Sequence, residues 1–225
     1  MTLFALDALD LAALLCSKVC HDVISPVGAI VNGLEVLEDE KDAEMRNFAL
    51  DLIKKSANTA SAKLQFCRLA FGAAGSAGAM IDTGDAENVA RGLFADDKTR
   101  LQWDATRVLM AKNKVKLLLN LCLIASAAIP RGGVIHVSIT GADEAMAMRV
   151  EAKAPYARLA SHVRALIDGN PDNNAVDAHG IQAFYTGLVA RSAGMHVQVA
   201  TEAETVTLSA APAAAAADEE PAIAA

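Results

Sequence analysis

Two long runs of helical apolar periodicity, residues 3–38 and 43–72, meet at the short polar connection Glu38-Asp39-Glu40-Lys41-Asp42. So short a connection makes two helices antiparallel neighbours. In the second run Met45, Phe48, Leu52, Ala60, Leu64, Cys67 and Phe71 recur at roughly seven-residue spacing, with slips. A two-helix hairpin covers only one side of such seams. A second copy would complete a four-helix bundle, with apolar burial as the driving force. The expectation is a homodimer through residues 3–72.

The small-residue stretch Gly72-Ala73-Ala74-Gly75-Ser76-Ala77-Gly78 reads as a flexible linker and the best domain boundary. It separates a hairpin domain, residues 1–74, from a second domain, residues 80–209. The second domain alternates. Residues 84–95 read as a short helix, 100–103 as a strand, and 112–129 as a helix stopped by Pro130. Arg131-Gly132-Gly133 is a turn, and Val134–Thr140 alternates as a strand. Residues 145–152 follow as its hairpin partner. Helices near 157–167 and 180–193 and strands near 195–200 and 204–209 complete an α+β sandwich. The last segment, 210–225, is Ala-rich and of low complexity, expected to be disordered.

Leu14–Leu37 is the most informative run. With His21 set at zero and about 100° per residue, Val19, Val23, Ile30, Leu34 and Leu37 fall within about 40° of the opposite side. His21 therefore points outward. Ser17, Ser25, Gly28, Asn32 and Leu14 share its face, and Lys18, Ile24 and Ala29 flank it within about 80°. An isolated surface histidine usually does nothing. Two features favour a function here. Leu14 and Ile24 put apolar surface beside the ring, as a contact face does. Pro26 lies inside a helical run, where it removes the hydrogen bond to the Asp22 carbonyl at a cost of about 3 kcal/mol. A bend beside His21 would account for it; the alternative is a simple helix break at 25–26.

The charge balance of 20 basic against 27 acidic residues, net −7, argues against a nucleic-acid binder. Aromatics at 4% disfavour base-stacking platforms. No run of about 18 uninterrupted apolar residues marks a membrane span, and Asp7 and Asp10 spoil a secretory signal. The expectation is a cytoplasmic protein bound to neither membrane nor nucleic acid. Cys16, Cys20, Cys67 and Cys122 form no CxxC pair and read as reduced thiols, Cys16 and Cys20 as buried ones. Cys16 and Cys20 are poorly placed to share a metal with His21. His136, His162, His179 and His196 read as structural or surface residues.

The string His21-Asp22-Val23-Ile24-Ser25-Pro26-Val27 resembles the H-box of dimeric sensor histidine kinases, His-Glu/Asp-x-x-Ser/Thr-Pro-Leu. The second domain is similar in element order to their Bergerat-type ATP-binding domain. Asn120 matches the first asparagine of the N-box, but the second position holds Ile124. Where the Asp-x-Gly box should lie, Ala152 and Ala154 stand at Asp and Gly. Only His179-Gly180-Ile181 remains of a glycine-rich lid. An intact phosphoacceptor helix beside a degraded nucleotide pocket resembles the alphaproteobacterial histidine phosphotransferases, as does the stretch Phe66–Ala73. The fold this implies is a hairpin forming a dimeric four-helix bundle, followed by a degenerate Bergerat-type α/β sandwich.

The resemblance implies a phosphorelay without ATP or a resident cofactor. A receiver aspartyl phosphate of a CckA-like hybrid kinase donates to His21, which passes the group to response regulators of the CtrA and CpdR types. The receivers supply Mg²⁺. Asp22 orients the ring and takes its proton through the far nitrogen. Lys18 pairs with the phosphoryl group or an acidic receiver rim; Leu14, Ser17, Ile24, Ser25, Gly28 and Asn32 form the docking face. Two other functions compete: an ATP-dependent histidine kinase, and a non-catalytic dimeric adaptor that only binds receivers.

Overall fold

The computed structural model describes residues 4–72, 78–95, 98–142 and 145–213. Residues 73–77 of the expected linker and the tail from 214 onward lie outside them. Helix α1 (Ala8–Asp39) and helix α2 (Ala43–Ala70) form the expected antiparallel hairpin. An acidic residue caps the start of each helix. Asp7 Oδ1 accepts from the Leu9 N–H at 2.8 Å, and Asp42 Oδ1 accepts from the N–H groups of Glu44 and Met45 at 3.0 Å. These bonds satisfy amides that a helix leaves open at its start. Small residues bring the helices together. A Cβ on Gly33 would stand 2.7 Å from Ile53 Cγ1, so only glycine allows this approach. Pro26 lies within one continuous helix, so the chain does not break at 25–26.

Beyond the hairpin come β1 (Met80–Asp82), α3 (Thr83–Leu93), β2 (Thr99–Asp104), β3 (Leu109–Ala111) and α4 (Lys112–Ala128). The hairpin of β4 (Gly133–Thr140) and β5 (Ala147–Lys153) follows, then α5 (His162–Asp168), α6 (Ile181–Ser192), β6 (Met195–Glu202) and β7 (Thr205–Pro212). The main sheet has the order β2-β4-β5-β7-β6. Only the β2–β4 pairing is parallel. Helix α4 lies against the sheet with almost its whole circumference buried, and α6 packs beside it. The other sheet face carries polar residues such as His136 and Arg149 to solvent.

Four elements differ from the sequence reading. Strands β1 and β3 pair antiparallel and were not expected. Helix α5 begins at His162 rather than near 157. The segment before it crosses the end of α4, where the Arg158 N–H bonds the Ala128 carbonyl at 3.0 Å and Ala157 is buried. Strand β7 runs on to Pro212, because Ala210 and Ala211 pair with Val197 and His196.

One end of the hairpin is docked on the second domain. Phe4 meets Phe184 edge-on at 5.8 Å, and Leu11, Leu14 and Leu15 pack on the same core. From α2, Phe66 meets Phe94 at 6.4 Å and Phe71 meets Tyr185 at 5.6 Å. The other end, with the helix connection, projects away. His21 lies on the stretch of α1 just beyond this junction.

Candidate functional site

The His21 side chain is 86% exposed, as the helical geometry predicts. Its Nδ1 stands 3.5 Å from Asp22 Oδ1. The other carboxylate oxygen of Asp22 accepts from Lys18 Nζ at 2.9 Å, a pairing across one helical turn. Lys63, on α2, donates from Nζ to the Asp22 carbonyl oxygen at 2.7 Å. Asp22 is thus held at its side chain and at its backbone, with one oxygen turned toward the imidazole. Cys67 lies half-buried beside this cluster; burial first, and the Asp22 charge second, push its thiol pKa up from the ordinary value.

The face around the ring is mostly as expected. Ser17, Ser25 and Asn32 are exposed, and Ile24 is 70% exposed. Gly28 has open space where a Cβ would stand, so nothing obstructs approach to His21 from that side. Two residues of the face have partners within the chain. Leu14 is half-buried against the core of the second domain, because α1 rests its first turns there, and so borders the face. Lys18 pairs with Asp22.

The apolar surface of α1 is wider than one seam. Pro26 and Gly33 are its buried residues, on the side that meets α2. Leu9, Ile24, Val27, Val31 and Leu34 lie exposed on an adjoining stripe, with Met45, Phe48 and Leu64 exposed on α2. Cys16 and Cys20 belong to this stripe and are exposed, which corrects the expectation of buried thiols. Cys20 is pushed up from the usual thiol range chiefly by its contact with Cys16. By length and composition α1 is apolar enough to cross a membrane, although polar residues interrupt its apolar ones. Among the described residues no group of three His, Cys, Asp or Glu side chains could hold a metal ion.

The positions matching a nucleotide pocket have become interior. Ile124 and Ala152 are 3% and 0% exposed. Asn120 is fully buried and works as a strut. Its Nδ2 donates to the carbonyls of Ala70 at 3.1 Å and Lys116 at 2.7 Å, and its Oδ1 accepts from Gln182 Nε2 at 2.6 Å. It ties α4 to the end of α2 and to α6. Where the lid is expected, Asp177 Oδ1 accepts from the backbone N–H groups of His179 and Gly180 at 3.0 and 2.7 Å. These backbone bonds lower the Asp177 carboxyl pKa below the usual range.

His136 has more partners than its sequence context suggested. Its Nε2 lies 2.8 Å from Asp104 Oδ2 and its Nδ1 3.3 Å from Glu151 Oε2. The Asp104 bond raises the His136 pKa above the usual imidazole value. Arg149, 2.8 Å from Glu151, lowers that carboxyl pKa. Lys63 was not singled out from the sequence. Its signal was there: residues 22 and 63 both lie about twenty positions from the helix connection and so face each other in an antiparallel hairpin.

Comparison with known proteins adds three findings. Residues 83–205 match the family model described as the histidine phosphotransferase C-terminal domain. The protein phosphotransferase ChpT of Brucella abortus (strain 2308) is 50% identical over 205 residues, covering 91% of this chain and 97% of that one. A solved bacterial phosphotransferase superposes with a TM-score of 0.84 at 47% identity, covering 93% of this chain and 100% of that chain.

Proposed function

The chain belongs to the histidine phosphotransferase family, and on that premise we propose that His21 is its phosphoacceptor in a two-component phosphorelay. The observation that carries this is the exposed imidazole with Asp22 Oδ1 on its Nδ1 side, 3.5 Å away. A proton kept at Nδ1 leaves the Nε2 lone pair as nucleophile. Nε2 attacks the phosphorus of a receiver aspartyl phosphate in line; the N–P bond forms as the P–O bond to the aspartate breaks. Asp22 then stabilises the cationic ring or takes the Nδ1 proton. The reverse chemistry delivers the group to a second receiver. Positioning and charge stabilisation do most of the work in such a transfer, and the receivers supply Mg²⁺.

The donor in this reading is the receiver of a CckA-like hybrid kinase, and the acceptors are CtrA- and CpdR-like regulators. Ile24, Ser17, Ser25, Gly28 and Asn32 form the docking face, bordered by Leu14. The exposed stripe from Leu9 to Leu34, with Phe48 and Leu64, packs against a second copy as a four-helix bundle in the cytoplasm. ATP is not used. Buried Ile124 and Ala152 offer neither an amide for metal and phosphate nor a carboxylate for adenine.

The test is transfer of ³²P from a phosphorylated receiver. The wild-type chain takes up label and passes it to a second receiver, while His21→Ala takes up none. Self-labelling by ATP and Mg²⁺ without a receiver would overturn the ATP-independent reading. Receiver binding without any phosphohistidine would favour an adaptor.

A further inference from the structure

The contact nearest His21 that the phosphotransfer chemistry leaves unused is made by Lys63. In an unbroken helix the Asp22 carbonyl would accept from the N–H of residue 26. Proline has none, so the carbonyl is orphaned by the sequence itself. A helix carbonyl in a packed hairpin needs a partner, because an unsatisfied polar group carries its desolvation penalty uncompensated. Lys63 supplies it from α2, 41 residues away in the chain, at 2.7 Å. A charged donor makes this bond stronger than the amide bond it replaces.

Lys18, Asp22, Lys63 and Cys67 line a cavity of about 310 Å³ in the crease between the hairpin and the second domain. Phe66, Phe94 and Leu123 form its apolar wall. Lys18 grips the Asp22 carboxylate and Lys63 the Asp22 backbone. The residue adjoining His21 is therefore clamped at two points from two helices.

We propose that Lys63 is a positioning residue for phosphotransfer: by bonding the carbonyl that Pro26 frees, it ties α1 to α2 beside His21 and so fixes the aim of the ring. This rests on His21 being the phosphoacceptor. Pro26 creates the open acceptor and Lys63 fills it across the hairpin, so the two residues act as one device. A ring aimed loosely loses rate even when its chemistry is intact, since misplacement of about 1 Å can cost on the order of 100-fold.

The experiment compares Lys63→Met, Lys63→Arg, Pro26→Ala and the double variant Pro26→Ala/Lys63→Met in the full chain. It measures transfer rate at saturating phosphorylated receiver, receiver affinity, and the ¹³C shift of the Asp22 carbonyl. Lys63→Met is expected to slow transfer by about tenfold, change receiver affinity by less than about twofold, and move the Asp22 carbonyl signal. Lys63→Arg restores most of the rate. In the Pro26→Ala background residue 26 regains its N–H, so Lys63→Met there has less than about a twofold further effect. Equal slowing in both backgrounds, or no slowing in either, overturns the proposal. Failure of the phosphoacceptor reading is read separately, as label on His21→Ala.

Discussion

Helices α1 and α4 are built for opposite purposes. The 32-residue α1 has two buried residues, Pro26 and Gly33, whereas the 17-residue α4 buries ten. Helix α1 shows apolar side chains and an imidazole to its surroundings. Helix α4 hides even Asn120, which spends its hydrogen-bonding groups on neighbours. A helix whose polar group is consumed inside contributes stability, and one whose polar group is presented can meet a partner. On the proposed function the hairpin is the working surface of this fold, and its root is set on the α/β part.

Substitutions in the two helices should separate these roles. Leu118→Ala in α4 is expected to lower the unfolding free energy by about 2–5 kcal/mol through lost burial and a cavity, measured by urea denaturation. Ile24→Ser in α1 should leave that stability within about 0.5 kcal/mol but weaken phosphotransfer from a receiver. Equal destabilisation by both would break the contrast.

A finer test lies at Asn120. Asn120→Ala leaves the Ala70 carbonyl and the Gln182 amide short of partners, at an expected cost of about 1–3 kcal/mol. Phosphotransfer at a temperature where the variant is folded should stay within about twofold of wild type, because Asn120 is a strut. A large loss of transfer without loss of stability would instead give the eroded pocket a direct part in the reaction.

The smallest effect concerns the outer sheet face. The folded pKa of His136 is raised, with Asp104 the first cause, so protonation favours the folded state. Its contribution is fully present below the unfolded value of about 6.5 and fades as pH rises through the raised folded value. Asp104 is largely exposed, so the contribution is under about 1 kcal/mol. The stability advantage of wild type over His136→Gln should therefore shrink as pH rises above about 6.5. An advantage that grows with pH would contradict the assignment.

Much of this was legible in the sequence. Helical periodicity located α1, α2, α4 and α6, and the angular reckoning placed His21 outward. Strands β1 and β3, of three residues each, are too short to show an alternation. The half-burial of Leu14 depends on how the hairpin root rests on the second domain, which local periodicity does not encode. Cys16 and Cys20 looked like core thiols because their neighbours are apolar; in a single chain that apolar surface faces outward. Lys63 was hidden for another reason. Its partner is a backbone carbonyl made available by a proline on a different helix, and residue type alone does not show such a pairing.

The proposed reacting atom is Nε2 of the exposed His21 imidazole, whose Nδ1 side faces Asp22. The most direct measurement is ³¹P and ¹⁵N NMR of the ¹⁵N-histidine-labelled chain after phosphorylation by a receiver. One phosphohistidine is expected, at Nε2 of His21, and it vanishes in His21→Ala. A phosphoryl group on another histidine, or at Nδ1 of His21, would contradict it.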